Sequence, residues 1–124
     1  MKYLIALSIF VSSYAYSADT RCGWLENPTP ANVWLSDKDG SWTISIQGGY
    51  SVDDESMALA FLGMENKDNF VRTNRNGGFS CACLVVDVKA DDGSISKIYK
   101  AEQLLLKQCL EDIAITPVIP LPFK

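Results

Sequence analysis

Two cysteines two residues apart, Cys81 and Cys83, lie inside the apolar, β-branched run Phe79-Ser-Cys-Ala-Cys-Leu-Val-Val-Asp-Val88. The turn cluster Asn74-Arg-Asn-Gly-Gly78 precedes it, so the run reads as a buried central strand. Side chains two apart on a strand share a face, which sends both sulfurs to one side. A direct Cys81–Cys83 bridge would have to span alternate Cα atoms, at about the upper limit of disulfide reach. Each cysteine therefore needs a distant partner. The candidates are Cys22 and Cys109, and an even count of four beyond residue 18 predicts two disulfides formed in an oxidising compartment.

Export is also legible at the start of the chain. Lys2, the apolar run Tyr3-Leu-Ile-Ala-Leu-Ser-Ile-Phe-Val11 and the small residues near Ala15 and Ser17 read as a signal peptide over residues 1–18. Its apolar run is far shorter than the roughly 20 residues that cross a bilayer. Asp19-Thr20-Arg21 ahead of Cys22 is unlike the small, apolar approach to a lipid-anchored cysteine. Residues 19–124 are expected to form a single disulfide-stabilised domain with a proline-rich C-terminal tail. About 107 residues suffice to bury roughly two-thirds of the unfolded surface. Without Lys2, ten basic side chains stand against fifteen acidic ones, a net charge of −5. No basic cluster interrupts the acids, which argues against nucleic acid or an anionic membrane surface and permits a basic protein partner.

Between these landmarks, 19–31 reads as an irregular arm, because Pro28 and Pro30 exclude a helix. Residues 31–47 form the clearest hairpin, turning at Asp37-Lys-Asp-Gly40, with Trp42, Ile44 and Ile46 alternating toward the core. An even loop sets Leu35 opposite Trp42 and Val33 opposite Ile44 and leaves Trp34 on the polar face; a three-residue loop with a bulge would set Trp34 opposite Trp42. The apolar pattern favours the even loop. Acidic residues 53–55, then Ser56-Met-Ala-Leu-Ala-Phe-Leu62 and Gly63, predict a short helix. Residues 64–72 read as a polar connection whose Phe70 and Val71 touch the core. A second hairpin turns near Asp91-Asp92 and brings Cys83 beside Lys100 and Cys81 beside Glu102, with Cys109 beyond. That geometry favours Cys22–Cys83 and Cys81–Cys109. Residues 101–112 fit a helix or a longer strand, and 115–124 an extended tail.

The chain contains no histidine, which excludes Ser-His-Asp and Cys-His machinery and histidine-bearing zinc sites. It has no nucleophile elbow, no phosphate loop and no dinucleotide fingerprint. Asp37-Lys-Asp39-Gly40 begins like a calcium loop but lacks the later ligands, so it reads as a turn. No cofactor and no metal are implied, and an enzyme is not expected. Trp34 and Tyr50 form the candidate binding surface: an exposed aromatic among Asn, Ser, Thr and Gln side chains suits sugar stacking or a protein anchor.

The run Arg21-Cys-Gly-Trp24, Asn27-Pro-Thr-Pro30, Trp34 to Asp37, Asp39-Gly40, Trp42-Thr-Ile44, Gln47-Gly-Gly-Tyr50 and Cys81-Ala-Cys83 resembles a family of exported bacterial proteins known as a domain of unknown function. The resemblance implies a bacterial, Gram-negative periplasmic setting and carries no catalytic residues. The expected architecture is a β-rich α+β domain: a small antiparallel sheet or partly open barrel of hairpins, with one or two short helices and two disulfides. The expected function is a non-enzymatic binding or inhibitor module, lysozyme-inhibitor-like or immunity-type, that captures a basic envelope enzyme. Cell-wall glycan binding through Trp34 and a Cys81/Cys83 dithiol redox role are the alternatives.

Overall fold

The computed structural model describes residues 18–120; the signal peptide expected over 1–18 lies, apart from Ala18, outside the described residues. The described residues form six strands: β1 (Asp19–Thr29), β2 (Asn32–Asp37), β3 (Gly40–Ser45), β4 (Phe70–Arg72), β5 (Gly78–Lys89) and β6 (Ser94–Leu104). Helix α1 (Asp54–Leu62) lies between β3 and β4, and α2 (Leu106–Leu110) follows β6. The strand order is β1-β2-β3-β6-β5-β4, and β1 also pairs with β5. That last pairing closes β1, β2, β3, β6 and β5 into a barrel, with β4 appended beside β5. All pairs are antiparallel except β3–β6, which meet at Thr43 and Ser94. A five-stranded Greek-key barrel with a helix between its third and fourth strands has the connectivity of the OB-fold.

Strand β1 overturns the expected irregular arm. It pairs with β2 on one side and β5 on the other, and both of its faces are covered: Trp24 and Leu25 are adjacent yet 1% and 0% exposed. A strand covered on both faces shows no alternation, so its sequence lacks the usual signature. Pro28 falls where the β1–β2 register shifts, between Glu26 and Thr29, and a missing N–H is tolerated there. Gly23 allows the close approach to β2: a Cβ at this position would lie 2.1 Å from the Ser36 carbonyl oxygen.

The barrel interior is filled by Leu25, Val33, Leu35, Ile44, Leu84, Val86, Ile95 and Ile98, with Val52, Ala60 and Met64 packed against them. A second cluster joins Trp24, Phe79, Cys81, Cys109 and Ile115, backed by Val71, Leu104, Leu106 and Ile119. Trp24 meets Phe79 edge-on at 5.3 Å and donates its indole N–H to the Ile115 carbonyl at 3.1 Å. Phe70 packs against the first cluster and Val71 against the second.

The disulfides are Cys22–Cys83 and Cys81–Cys109. The first links directly opposed residues of β1 and β5, and the second ties α2 to β5. The β5–β6 register differs from expectation: Cys83 faces Glu102 and Cys81 faces Leu104. Two bulges, at Ser96 and Tyr99, each add one residue to β6. Two single shifts restore the parity of the pairing, and Cys81 and Cys83, two apart on β5, share a face.

In the first hairpin Leu35 does oppose Trp42, across a two-residue turn. Val33 faces Ser45 and not Ile44, because Ile44 is the extra residue of a bulge; Val33 and Ile44 are nonetheless both 0% exposed. Ile46, expected in the core, is 47% exposed. Strand β3 ends at Ser45, and the chain turns through Gly48, whose φ of +77° favours glycine.

The predicted helix forms, capped by the Asp53 side chain, which accepts from the Ser56 N–H at 2.8 Å. Beyond the single β3 contact, β6 would be a bare edge, and α1 covers it. Buried Ser56 accepts from the Ile98 N–H at 2.9 Å and lies 3.4 Å from the Ile98 carbonyl, replacing a strand partner. Ser56→Ala strands that N–H and is expected to cost about 1–3 kcal/mol in a denaturant melt. Residues 101–112 are strand and then helix in succession. The tail expected to be extended over 115–124 is corrected at its start, where Ile115 is buried and Thr116–Val118 forms a 3-10 turn, and residues 121–124 lie outside the described residues.

Candidate functional site

Trp34, on β2, stands between Glu26 of β1 and Thr43 of β3. It is half-buried and engaged. Glu26 accepts from the Ser36 hydroxyl at 2.6 Å, and the Trp34 side chain is a second donor to it. Burial pushes the Glu26 carboxyl above its ordinary range, and the two donors pull part of that back. A carboxyl that titrates higher in the folded than in the unfolded chain weakens the fold as pH rises through that interval. Glu26→Gln is therefore expected to stabilise the protein at neutral pH. The gain should shrink as pH falls through the folded value and vanish below the unfolded one, which a series of thermal melts across pH would read.

Tyr50 occupies a different gap. Its carbonyl accepts from the Ile46 N–H at 2.8 Å and its hydroxyl donates to the Ile95 carbonyl at 2.7 Å, so it bridges the β3–β6 seam. At 39% exposure it is a clip with one accessible face.

One end of the barrel is closed by a group that sequence reasoning missed. Arg21 Nη1 lies 3.0 Å from Asp37 and 3.1 Å from Asp39, and Nη2 lies 3.5 Å from Asp19. The guanidinium sits 4.2 Å from the centre of the Trp42 ring, and the Trp42 indole donates to Asp37 at 3.0 Å. The aspartates of the calcium-like run thus serve an arginine plug, and Asp37 is only 3% exposed. Among the described residues no group of three or more metal-ligating side chains is assembled.

A mainly apolar concavity lies between α1 and β6. This groove of about 470 Å³ is lined by Glu55, Ala58, Leu59 and Leu62 from the helix and by Lys97, Ile98 and Tyr99 from the strand. Leu62 and Tyr99 are each 46% exposed. The β6 bulge places Tyr99 here, and its hydroxyl donates to Asp87 at 2.6 Å. Lys97 Nζ lies 3.4 Å from Asp53 and 3.8 Å from Glu55. The Ser56 backbone N–H, with smaller help from the Ser56 hydroxyl and Lys97, holds the Asp53 carboxyl below its ordinary range. The available signal was α1 itself, since Met57, Leu59, Phe61 and Leu62 make it apolar on more than one side.

Cys81 and Cys83 belong to separate bridges, and Cys81 and Cys109 are 0% and 2% exposed. No Cys81/Cys83 dithiol exists in this arrangement. Two disulfides fit an oxidising compartment. Among the described residues no helix is long and apolar enough to cross a membrane.

These features define a disulfide-stapled β-barrel whose seam is sealed by a helix carrying an outward apolar groove. The chain belongs to the family described as "Protein of unknown function (DUF4087)", which matches residues 16–116. No curated protein and no solved structure matches it.

Proposed function

We propose that the protein is a non-enzymatic binding module of the bacterial periplasm, of the inhibitor or immunity type, whose partner is a basic wall-degrading enzyme. One observation carries the reading: Leu62 and Tyr99 stand half-exposed on a braced frame, with Asp53, Glu55 and Asp87 beside them. Apolar anchors inside a charged rim are the usual anatomy of a protein-recognition surface. The acidic balance of the chain, −4 overall, favours encounter with a basic partner. Added at a molar excess, purified protein is expected to suppress lysozyme or periplasmic amidase activity on cell-wall substrate. Unchanged activity with both enzymes, together with no wall enzyme retained on the immobilised protein, would sink the proposal.

Envelope glycan is the second reading, favoured by the Glu26–Trp34 pair, which sets a held indole beside a carboxylate and hydroxyls. It expects Trp fluorescence to change across a glycan panel and the change to disappear in Trp34→Ala.

A further inference from the structure

We infer that the α1–β6 groove is the docking face, that its occupant is a protein segment carrying an apolar side chain next to a lysine or arginine, and that Lys97 is the resident stand-in for that cation. The inference rests on the binding-module reading and adds the place, the partner chemistry and a built-in competitor. Among the described residues Lys97 is the one cation lining the groove, and its ammonium is shared between Asp53 and Glu55 at 3.4 and 3.8 Å. All three side chains are solvent-accessible: Lys97 is 37%, Asp53 45% and Glu55 86% exposed. Such a pair contributes little and is readily exchanged. The floor of Ala58, Leu59, Leu62 and Ile98 accepts an aliphatic or aromatic side chain, and Tyr99, held by Asp87, forms one wall. An incoming cation would take the two carboxylates and release Lys97 into solvent along its own flexible stem.

The direction of one substitution separates this arrangement from its opposite. If a cationic segment binds, Lys97 competes with it, and Lys97→Met strengthens binding while keeping the apolar stem. If an anionic segment binds, Lys97 is the anchor, and the same change weakens it. Glu55→Lys should do the reverse of Lys97→Met.

The test places a photo-crosslinking phenylalanine derivative at Ala58 in the full-length protein, with a control at Ile113, which is 90% exposed on the C-terminal segment. Each is irradiated in native envelope extract, and the captured proteins are identified by mass spectrometry. Wild-type disulfides and melting behaviour are verified first, so a misfolded variant is not scored. The expected result is capture of basic proteins from Ala58 and not from Ile113. Capture should rise about threefold in Lys97→Met, as removal of a weak exposed pair allows, and fall with Glu55→Lys and with added salt. Weaker capture in Lys97→Met, equal capture from Ile113, or capture of a second copy of this chain overturns the inference. If the wild-type protein retains a wall enzyme but Ala58 captures nothing, the binding-module reading stands and the groove assignment fails. If no wall enzyme is retained or inhibited at all, both fail.

Discussion

Replacing Cys22 and Cys83 together by alanine is expected to destabilise the protein by about 4 kcal/mol. The bridge spans 61 residues of sequence, and without it the unfolded chain regains the freedom of that long loop. It also fastens the β1–β5 pair that closes the barrel, at the one register where the two cysteines face each other. The Cys81–Cys109 bridge spans 28 residues, and loop entropy alone makes its loss about 0.7 kcal/mol milder. Urea melts of both double variants under non-reducing conditions give the comparison. A loss under about 1 kcal/mol for the Cys22/Cys83 variant would mean that the nine backbone pairings of β1 with β5 hold the barrel closed unaided.

Trp24→Ala is expected to cost about 3–5 kcal/mol, the range for emptying a buried aromatic site. Trp24 lies outside the barrel interior, in the cluster that holds α2 and the 3-10 turn against β1 and β5. Its removal takes away the edge-on contact with Phe79 and the indole donor to Ile115. The consequence should be local before it is global. Hydrogen exchange is expected to quicken over residues 105–119, while β2, β3 and the interior of β5 stay protected. Trp24→Phe keeps most of the apolar area, loses the hydrogen bond, and should fall well short of the full cost. Uniform loss of protection across the barrel in Trp24→Ala would show instead that the two clusters form one cooperative unit.

Much of this frame is legible in the residues because its cues are local. Asp37-Lys-Asp-Gly40 specifies a two-residue turn, so Leu35 meets Trp42. Asp53 and Gly63 bracket a helix. The β-branched run around Cys81 and Cys83 could only be a covered strand, and shared parity directs both sulfurs one way. What escapes is what depends on distant neighbours. The β1 sequence carries Cys, Gly and a proline and alternates poorly, yet pairing on both sides and cover on both faces make it a strand. The bulges at Ile44, Ser96 and Tyr99 leave no mark in a single strand, because a bulge is a relation between two. Ile46 continues the period-2 pattern of β3 but falls where the chain has already turned away.

The surfaces follow the same division. Trp34 and Tyr50 could be picked out as aromatics among polar residues, but their partners, Glu26 and the Ile95 carbonyl, come from other strands. Each was therefore less free than its own neighbourhood implied. Arg21 is unremarkable in sequence and becomes the plug of the barrel only when Asp37, Asp39 and Trp42 converge on it. The α1–β6 groove needs a helix laid along a strand edge and a bulge that turns Tyr99 outward. Neither is encoded within one segment. The physical result is a scaffold stiffened by its bridges and an arginine plug, with Leu62 and Tyr99 of the helix–strand pair among its accessible apolar side chains. That division of labour suits recognition, where rigidity limits the entropy lost on binding.

The most direct measurement of the central claim is retention of native envelope proteins on the immobilised full-length protein, eluted in steps of increasing salt and identified by mass spectrometry. The account predicts a basic wall-degrading enzyme among the retained proteins, released as salt screens the carboxylates around the groove. Retention of no wall enzyme, or of acidic proteins whose binding is indifferent to salt, would contradict it.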